Sequence, residues 1–315
     1  MSLLGYIVKR IGQALPILLG ITIVSFLLLR LVPGDPAVAI LGTNYTEERA
    51  TEVRNSLGLN MPLLQQYWNF LSHAVRFDFG NSYSLHRPVI EEIWHRLPKT
   101  AFLIVFTGVL TLIITIPIGT VSALRQGGVF DNTARGFFLL AYATPGFVTG
   151  ILLLQYLSAK LHWFAISGFG TGFFDNVYHT FLPALTMSLA FSTVLVRSLR
   201  ATVLDVLRSD YIITARLKGT KWAAVLRRDM LPNALLPLTV VFGVNLAFMV
   251  GGTVIMENVF SIPGLGKFLV DAVPMRDYFV IQGTTLVFAV LVLLVNMLTD
   301  IIHVSLDPRL SLGVV

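Results

Sequence analysis

The side chains that most often perform catalysis are scarce and scattered in this sequence. No cysteine occurs, so disulfides and thiolate metal sites are excluded. None of the six histidines forms an H-E-x-x-H pair, and no G-x-S-x-G motif presents a serine nucleophile. The run from Gly264 to Phe268 has neither the spacing nor the hydroxyl of a phosphate-binding loop. We therefore expect no catalytic residue, no metal site and no ATPase in this chain.

Polar and basic side chains concentrate instead in the segment 198–232. Eight Lys and Arg residues lie between positions 197 and 232. The pattern predicts two short helices, over 211–218 and 221–230, joined by an elbow at Gly219. The predicted caps and stops are Ser209-Asp210, Gly219, Thr220 and Leu231-Pro232. Such a basic segment is suited either to an anionic lipid surface or to an acidic partner.

Membrane helices must position this segment, because the composition is that of a membrane protein. The chain is 55% hydrophobic and 13% charged with mean hydropathy +0.76, whereas soluble domains carry about 25% charged residues. A helix needs about 20 apolar residues to cross the hydrocarbon core. Six stretches qualify, and they predict an all-α integral membrane protein with about six transmembrane helices. They are approximately 11–32, 101–124, 136–158, 180–197, 235–256 and 279–303.

The distribution of Lys and Arg predicts the orientation of these spans. With both termini in the cytoplasm, thirteen fall in the inner segments and three (Lys160, Lys267 and Arg276) in the two short outer ones. This asymmetry explains the net charge of +6, so we expect no nucleic-acid partner. The first apolar stretch exceeds the core of a signal peptide, about 7–15 residues, and we expect an uncleaved helix.

The long outer segment 33–100 predicts a small helical insertion. Its expected helices are 49–57, 63–75 and 88–96, the first capped by Thr46 and ended by Gly58. The second outer segment, 159–179, is rich in glycine and aromatic residues and is expected to anchor at the interface or contact a partner. The chain is thus expected to divide into 1–32, 33–100 and a core of 101–315.

An ion-coupled carrier is the alternative class of transporter. Such carriers usually bury an acid or a histidine in the middle of the membrane as a relay. The centres of the six stretches offer only hydroxyls and amides, such as Gln155, Ser192 and Asn245, and the nearest acid is Asp300 near a helix end. The sequence therefore favours another energy source.

Residues 214–219 and 231–232 carry a family resemblance. The sequence Thr-Ala-Arg-Leu-Lys-Gly, with Pro232 thirteen residues after Gly219, resembles the "EAA" loop of bacterial ABC-importer permeases. Thr-Ala-Arg replaces Glu-Ala-Ala, a departure that is usual in the peptide-importer branch, and Asp229 stands where an aliphatic residue is common. In that family the loop forms the coupling helix, which docks into a groove of a cytoplasmic ATPase.

Other segments resemble the dipeptide, oligopeptide and nickel branch of this family, in order along residues 5–310. They are 33–36, 57–59, 62–63, 66–67, 78–82, 96–100, 257–260, 263–266, 276–278, 280–282 and 307–309. Together they identify the chain as similar to the permease subunit of an ABC importer.

The resemblance implies a type I ABC-importer permease fold in a bacterial inner membrane. It implies three kinds of protein partner: a second homologous permease, two ATP-binding-cassette ATPases that bind ATP and Mg²⁺, and an extracytoplasmic solute-binding protein. No cofactor is implied for this chain. The implied cargo is a dipeptide, an oligopeptide or a related small solute, with glutathione and nickel chelates left open.

The resemblance also assigns candidate site residues. Trp222 and Leu226 are expected to fill an apolar groove of the ATPase, and nearby cations to meet its acidic groups. The coupling residues are Thr214, Ala215, Arg216, Lys218, Gly219, Lys221, Trp222, Leu226, Arg227, Arg228 and Pro232. The translocation path is expected to be lined by Thr144, Pro145, Thr149, Asn245 and Gln282. The binding protein is expected to dock on Phe169, Phe173 and Phe174.

Overall fold

The chain is almost wholly helical in a computed structural model that describes residues 3–31, 35–41, 45–56 and 58–306. No β-strand occurs in these ranges. The helices are α1 (Leu3–Leu31), α2 (Pro36–Leu41), α3 (Glu47–Ser56), α4 (Leu63–Ala74), α5 (Val89–Leu124), α6 (Val129–Ala143), α7 (Gly146–Leu153), α8 (Phe173–Leu207), α9 (Asp210–Leu217), α10 (Trp222–Ala224), α11 (Leu231–Val259), α12 (Leu265–Ala272) and α13 (Tyr278–Leu306). The segments 33–34 and 307–309 and Leu57, which the resemblance uses, lie outside the described residues.

Apolar length accounts for the membrane spans. Four described helices are long and apolar enough to cross a membrane: α5, α8, the continuous helix Trp222–Val259, and Tyr278–His303 of α13. A bent pair, Val129–Ala143 with Gly146–Lys160, supplies a fifth when counted as one span. The shorter apolar stretch Gly12–Leu28 of α1 is about 25 Å long, near the thickness of the hydrocarbon core.

Two predicted breaks do not occur. The expected outer helix 88–96 and the span 101–124 form one helix, α5, which continues through Pro98. Leu231-Pro232 was expected to stop a helix, but Trp222–Val259 is continuous there. Val225–Met230 is a π-helical segment, and Pro232 lies in the first turn of α11, directly after it. A proline inside a helix removes one backbone hydrogen bond, and Pro232 stands where the bonding pattern changes from π to α.

The expected straight span 136–158 is broken. Thr144 is extended, with φ −86° and ψ 127°, as the residue before a proline prefers. The helices on either side of Thr144-Pro145 meet at 103°. The second one ends as a π-helix, Leu154–Lys160. At such a break the backbone N–H and C=O groups lack helical partners. Within a membrane they need hydrogen bonds from neighbouring protein or from water.

The segments predicted to lie outside contain more helix than the sequence indicated. The segment 159–179 is a loop only as far as Gly172, because α8 begins at Phe173. The helix α12 lies between the fifth and sixth predicted spans, in a segment for which no helix was predicted. By contrast, α3 and α4 lie close to the predicted helices 49–57 and 63–75.

The chain divides into two compact units. Unit 1 comprises residues 102–261 with 294–306, and unit 2 comprises residues 3–101 with 262–293. The core of unit 1 packs Leu195, Leu199 and Val203 of α8 against Ala234 and Leu238 of α11. These five side chains are almost wholly buried, so α8 and α11 form the rigid base of that unit.

Unit 2 fastens the segment 80–88 to the start of α13. The buried carboxylate of Asp277 accepts hydrogen bonds from the Ser82 hydroxyl (2.7 Å) and from the Ser84 amide (3.2 Å) and hydroxyl (3.1 Å). The Leu265 amide donates to the Thr100 hydroxyl at 2.8 Å, which ties α12 to α5. The buried side chains of Asp277, Ser82 and Thr100 are thus paired, as stability requires.

Candidate coupling elbow

The first arm of the elbow is α9. Ser209 has the extended backbone of an N-cap, with φ −73° and ψ 148°. Its hydroxyl makes no capping bond, however, and donates instead to the carbonyl of Val206 at 2.5 Å. The Ile212 amide bonds to the Ser209 carbonyl at 3.1 Å. The predicted start of the helix is therefore correct, but the serine side chain closes the end of α8.

Gly219 ends α9 in the conformation that its sequence position predicted. Its φ is +77°, in the left-handed region that glycine occupies without steric cost. The Gly219 amide donates to the Arg216 carbonyl (3.0 Å), and the Thr220 amide donates to the Ala215 carbonyl (3.1 Å). This pair of bonds is a Schellman motif, which satisfies the last carbonyls of a helix and turns the chain sharply.

The second arm begins at Trp222 rather than at Lys221. Lys221 occupies the N-cap position, and no side chain caps this helix, so the expected cap by Thr220 is wrong. After one turn the arm becomes the π-helix Val225–Met230 and then α11. The elbow is therefore an extension of a membrane helix, which lets it move together with that helix.

The inner face of the elbow is locked into the core of unit 1. Ile212 of the first arm and Val225 and Met230 of the second are buried and belong to the same cluster as Leu199 and Val203. Leu226 also packs against this cluster and is partly buried, so only part of its side chain is available for the groove contact expected of it. Close packing of both arms makes the elbow a rigid part of the unit.

The outer face of the elbow is basic and partly apolar. Five cations are exposed, and within the described residues none of them pairs with a carboxylate. They are Arg216, Lys218, Lys221, Arg227 and Arg228. The large apolar side chains Leu217 (83% exposed), Ile213 and Tyr211 accompany them. The sequence analysis did not single out these three side chains. The four-residue spacing of Ile213 and Leu217 does place those two on one helix face.

Arg216 and Trp222 join the two arms across the glycine. The guanidinium carbon of Arg216 lies 4.9 Å from the centre of the Trp222 ring, within the range of a cation–π contact. Trp222 remains 41% exposed. Of the other predicted coupling residues, Thr214 and Pro232 are exposed and Ala215 is partly buried. The elbow thus presents Trp222, positioned by Arg216, within a basic surface.

A buried ion pair elsewhere in unit 1 was not predicted. Arg200 of α8 donates to both oxygens of Asp131 in α6, through Nε and Nη2, each at 2.7 Å. The Gly127 amide donates to the same carboxylate at 2.9 Å. Asp131 is wholly buried, and the Arg200 side chain is 19% exposed. This bidentate pair fixes the loop before α6 to the helix that leads into the elbow.

The predicted path residues fall in different places. Thr144 and Pro145 form the sharp bend between α6 and α7, and Thr149 lies one turn beyond. Asn245 is buried in α11, where its amide donates to the Val241 carbonyl at 2.7 Å. Gln282 lies in unit 2 and is buried there. The bend is the one feature in this set with an unusual backbone.

The predicted docking aromatics differ in exposure. Phe174 (85% exposed) and Phe173 stand at the start of α8, whereas Phe169 is partly buried. Phe169 and Phe173 both contact Phe102 edge to face, with ring centres 5.7 and 6.0 Å apart. Phe174 is therefore the freest of the three. Trp163 and Ile166, exposed on the same loop, were not among the predicted residues.

No three His, Asp or Glu side chains of the described residues come together as a metal site.

Sequence comparison covers nearly the whole chain. Residues 115–312 match the family described as the binding-protein-dependent transport system inner membrane component, and residues 3–104 match the N-terminal region of such membrane components. The chain belongs to this permease family.

Curated relatives match this permease over almost their full length. It is 39% identical over 313 residues to the oligopeptide transport system permease protein AppB of Bacillus subtilis (strain 168), which covers 98% of the chain and 99% of the relative. It is 37% identical over 308 residues to the glutathione transport system permease protein GsiC of Pectobacterium atrosepticum, covering 98% and 99%. A probable peptide ABC transporter permease protein, y4tP of Sinorhizobium fredii, is 35% identical over 308 residues, covering 97% and 98%.

The fold matches solved structures of an ABC importer. An inward-facing form of the MetNI methionine ABC transporter superposes with a TM-score of 0.54 at 14% identity, covering 68% of this chain and 96% of that one. A second crystal form gives a TM-score of 0.56, covering 69% of this chain and 96% of that one.

The predicted ABC-importer family and type I permease fold are therefore confirmed. The permease is a multi-pass inner membrane protein and is not an enzyme, since in this family ATP hydrolysis belongs to separate partner subunits that act with a binding protein.

Proposed function

We propose that this permease forms one half of an inward path for peptides or related small solutes, paired with a second homologous permease and two ATPase subunits. The observation that carries the proposal is the elbow at Gly219, whose inner face is locked into the core while its outer face stays basic and exposed. The relatives named for oligopeptide, peptide and glutathione transport support the cargo class. ATP and Mg²⁺ belong to the partners, and no cofactor is assigned to this chain.

The elbow is suited to transmit motion from the ATPases. Closure of two ATPases around ATP would bring the two elbows of the paired permeases together. Because Val225 and Met230 lock the second arm into the core, a push on the elbow moves α8 and α11 as a body. ATP then shifts the population between inward-open and outward-open states, since the two states differ in how the ATPases meet.

Transport by the assembled complex tests this function. We expect Trp222→Ala to remain in the membrane but to lose most ATP-driven peptide uptake, because a partly exposed aromatic anchor often carries much of an interface's binding energy. Copurification of the ATPases should fall in parallel. Trp94→Ala, which removes a 60% exposed tryptophan of α5 outside the elbow, is the matched control and should transport normally. Full uptake by Trp222→Ala with the ATPases still bound would contradict the proposal.

The proposed orientation places both termini and the elbow in the cytoplasm, and the insertion 33–100 outside. The native chain has no cysteine, so single substitutions can be labelled cleanly. Asn60→Cys, at an exposed turn of the insertion, should react with a membrane-impermeant maleimide added to intact spheroplasts. Lys218→Cys, in the elbow, should react only after the membrane is opened. The reverse pattern would overturn the orientation.

We propose that the binding protein docks on the outer aromatic loop and the adjoining start of α8, with Phe174 of α8 as the most accessible side chain. Phe174→Ala should weaken the stimulation of ATPase activity by the loaded binding protein, since an 85% exposed ring contributes little to the fold itself. The control is Phe169→Ala, which removes a packed ring and should affect stability more than stimulation. Unchanged stimulation by Phe174→Ala, with normal assembly, would remove this side chain from the docking surface.

The bend at Thr144-Pro145 is the part of the predicted path that the fold supports best. Extended backbone between two apolar helices is stable where it lines a water-filled space or is enclosed by protein. Thr149, Asn245 and Gln282 remain proposals for the same path on their polarity alone.

A further inference from the structure

Helix α4, in the outer insertion, is amphipathic in an unusual way. On a helical projection, Leu64, Trp68, Leu71 and Val75 fall on one arc. A polar arc begins beside it with Ser72 and Gln65 and reaches the far side at Asn69 and His73. The apolar arc is largely exposed: Leu64 is 80%, Trp68 67% and Val75 74% accessible. A helix in water normally turns such a face inward, so this arc needs a covering that the described residues do not supply.

A third face of α4 packs on α1. The Tyr67 hydroxyl is 2.9 Å from the Thr22 hydroxyl, and the Tyr67 ring meets Phe26 edge to face at 5.5 Å. Arg30 donates to the Gln66 amide oxygen at 3.0 and 2.7 Å. On α1 the contacts span nine residues (22–30), whereas on α4 they involve only the middle of the helix. The two helices therefore cross, and do not lie side by side.

These contacts fix the depth of α4 along the membrane helix. Thr22 and Phe26 lie within the apolar stretch Gly12–Leu28 of α1. At 1.5 Å per residue, Phe26 is about 8 Å and Thr22 about 13 Å before the end of α1 at Leu31. A helix that crosses α1 at Phe26 is therefore level with the outer edge of the hydrocarbon core and not in open water.

The α1 surface below the crossing supports the same depth. Thr22, Phe26 and Arg30 share one face of α1, and the same face continues inward to Leu15 and Leu19. Leu15 and Leu19 are exposed, as lipid-facing leucines are, while Thr22 is buried under α4. Lipid that covers Leu19 therefore reaches up to the level at which α4 crosses α1.

We propose that α4 is an interfacial membrane helix. It lies close to the membrane plane at the outer surface, with Leu64, Trp68, Leu71 and Val75 in the lipid and its polar arc toward water. An apolar face buried about 5–10 Å into the headgroup boundary is the usual arrangement of such helices, and tryptophan is enriched at this level. The proposal goes beyond the transport function, and it rests on the proposed orientation of α1.

Spin labels at two neighbouring positions test it. Leu64→Cys and Asn69→Cys stand on opposite arcs of one helix, and the chain supplies no competing cysteine. Each is labelled with a nitroxide in the assembled transporter, reconstituted into phosphatidylethanolamine and phosphatidylglycerol vesicles. Collisions are measured with oxygen, which partitions into lipid, and with a water-soluble nickel chelate. Trp68→Cys serves as a second lipid-facing position.

The expected result is that oxygen collisions exceed chelate collisions several-fold at positions 64 and 68, with the reverse at 69. Chelate access at 64 and 68 equal to that at 69 would place the arc in water and overturn the proposal. Protection from both reagents in the complex, lost when this chain is reconstituted alone, would show a protein partner on the arc and would also overturn it. If the nitroxide at position 69 collides only with chelate supplied on the cytoplasmic side of the membrane, the proposed orientation is wrong, and not the interfacial position of α4.

Discussion

Replacing Gly219 with valine should reduce ATP-driven uptake to background while the permease still inserts in the membrane. At φ +77° an L-residue costs about 1–2 kcal/mol, and a β-branched residue costs more. A Cβ atom at Gly219 would meet no other atom within 4 Å, so the effect comes from backbone conformation and not from collision. To escape the strain the Schellman bonds must break, which redirects the second arm relative to α9.

The control variant keeps the conformation and changes only the side chain. Asparagine tolerates the left-handed region, so Gly219→Asn should retain most uptake. Uptake, ATPase copurification and membrane yield are measured together for both variants. A loss of uptake and of ATPase copurification by Gly219→Val, with normal membrane yield, would show that the variant is defective in coupling to the ATPases. Equal uptake by the valine and asparagine variants would show that the elbow angle does not matter for transport.

The spans were predictable because membrane thickness sets a length that apolar runs either reach or miss. The breaks between helices were not. Pro98 and Pro232 both lie inside continuous helices, while Pro145 stands at a 103° bend. A proline indicates only that one backbone hydrogen bond is missing. Whether the helix continues past the proline depends on packing against other helices, which no local pattern contains.

The elbow was predictable in part for a related reason. Gly219 was found because positive φ at a helix end is a local demand that glycine meets. The inward packing of Leu226 and the exposure of Leu217 depend on which side faces the core, which is decided by α8 and α11. The pair of Asp131 and Arg200 is separated by 69 positions in the sequence, so no local pattern indicates it.

The second large effect concerns that buried pair. Asp131→Asn should destabilise unit 1 by about 3 kcal/mol, because it leaves the Arg200 guanidinium without its anion in a mostly buried place. The expected loss is at the low end of the usual range, since Arg200 keeps 19% of its side chain exposed. Thermal unfolding in detergent, followed by size-exclusion chromatography, measures the loss.

A double variant separates the charge from the shape. Asp131→Asn with Arg200→Met removes both charges, while the asparagine oxygen can still accept from the Gly127 amide. Since replacing a whole buried pair is often neutral, the double variant should regain most of the lost stability. If it stays as unstable as Asp131→Asn alone, the loss comes from the carboxylate's own packing and not from the orphaned cation. If Asp131→Asn alone unfolds at the wild-type temperature, the pair does not fasten α6 to α8, and the stiffness assigned to the base of the elbow must come from apolar packing alone.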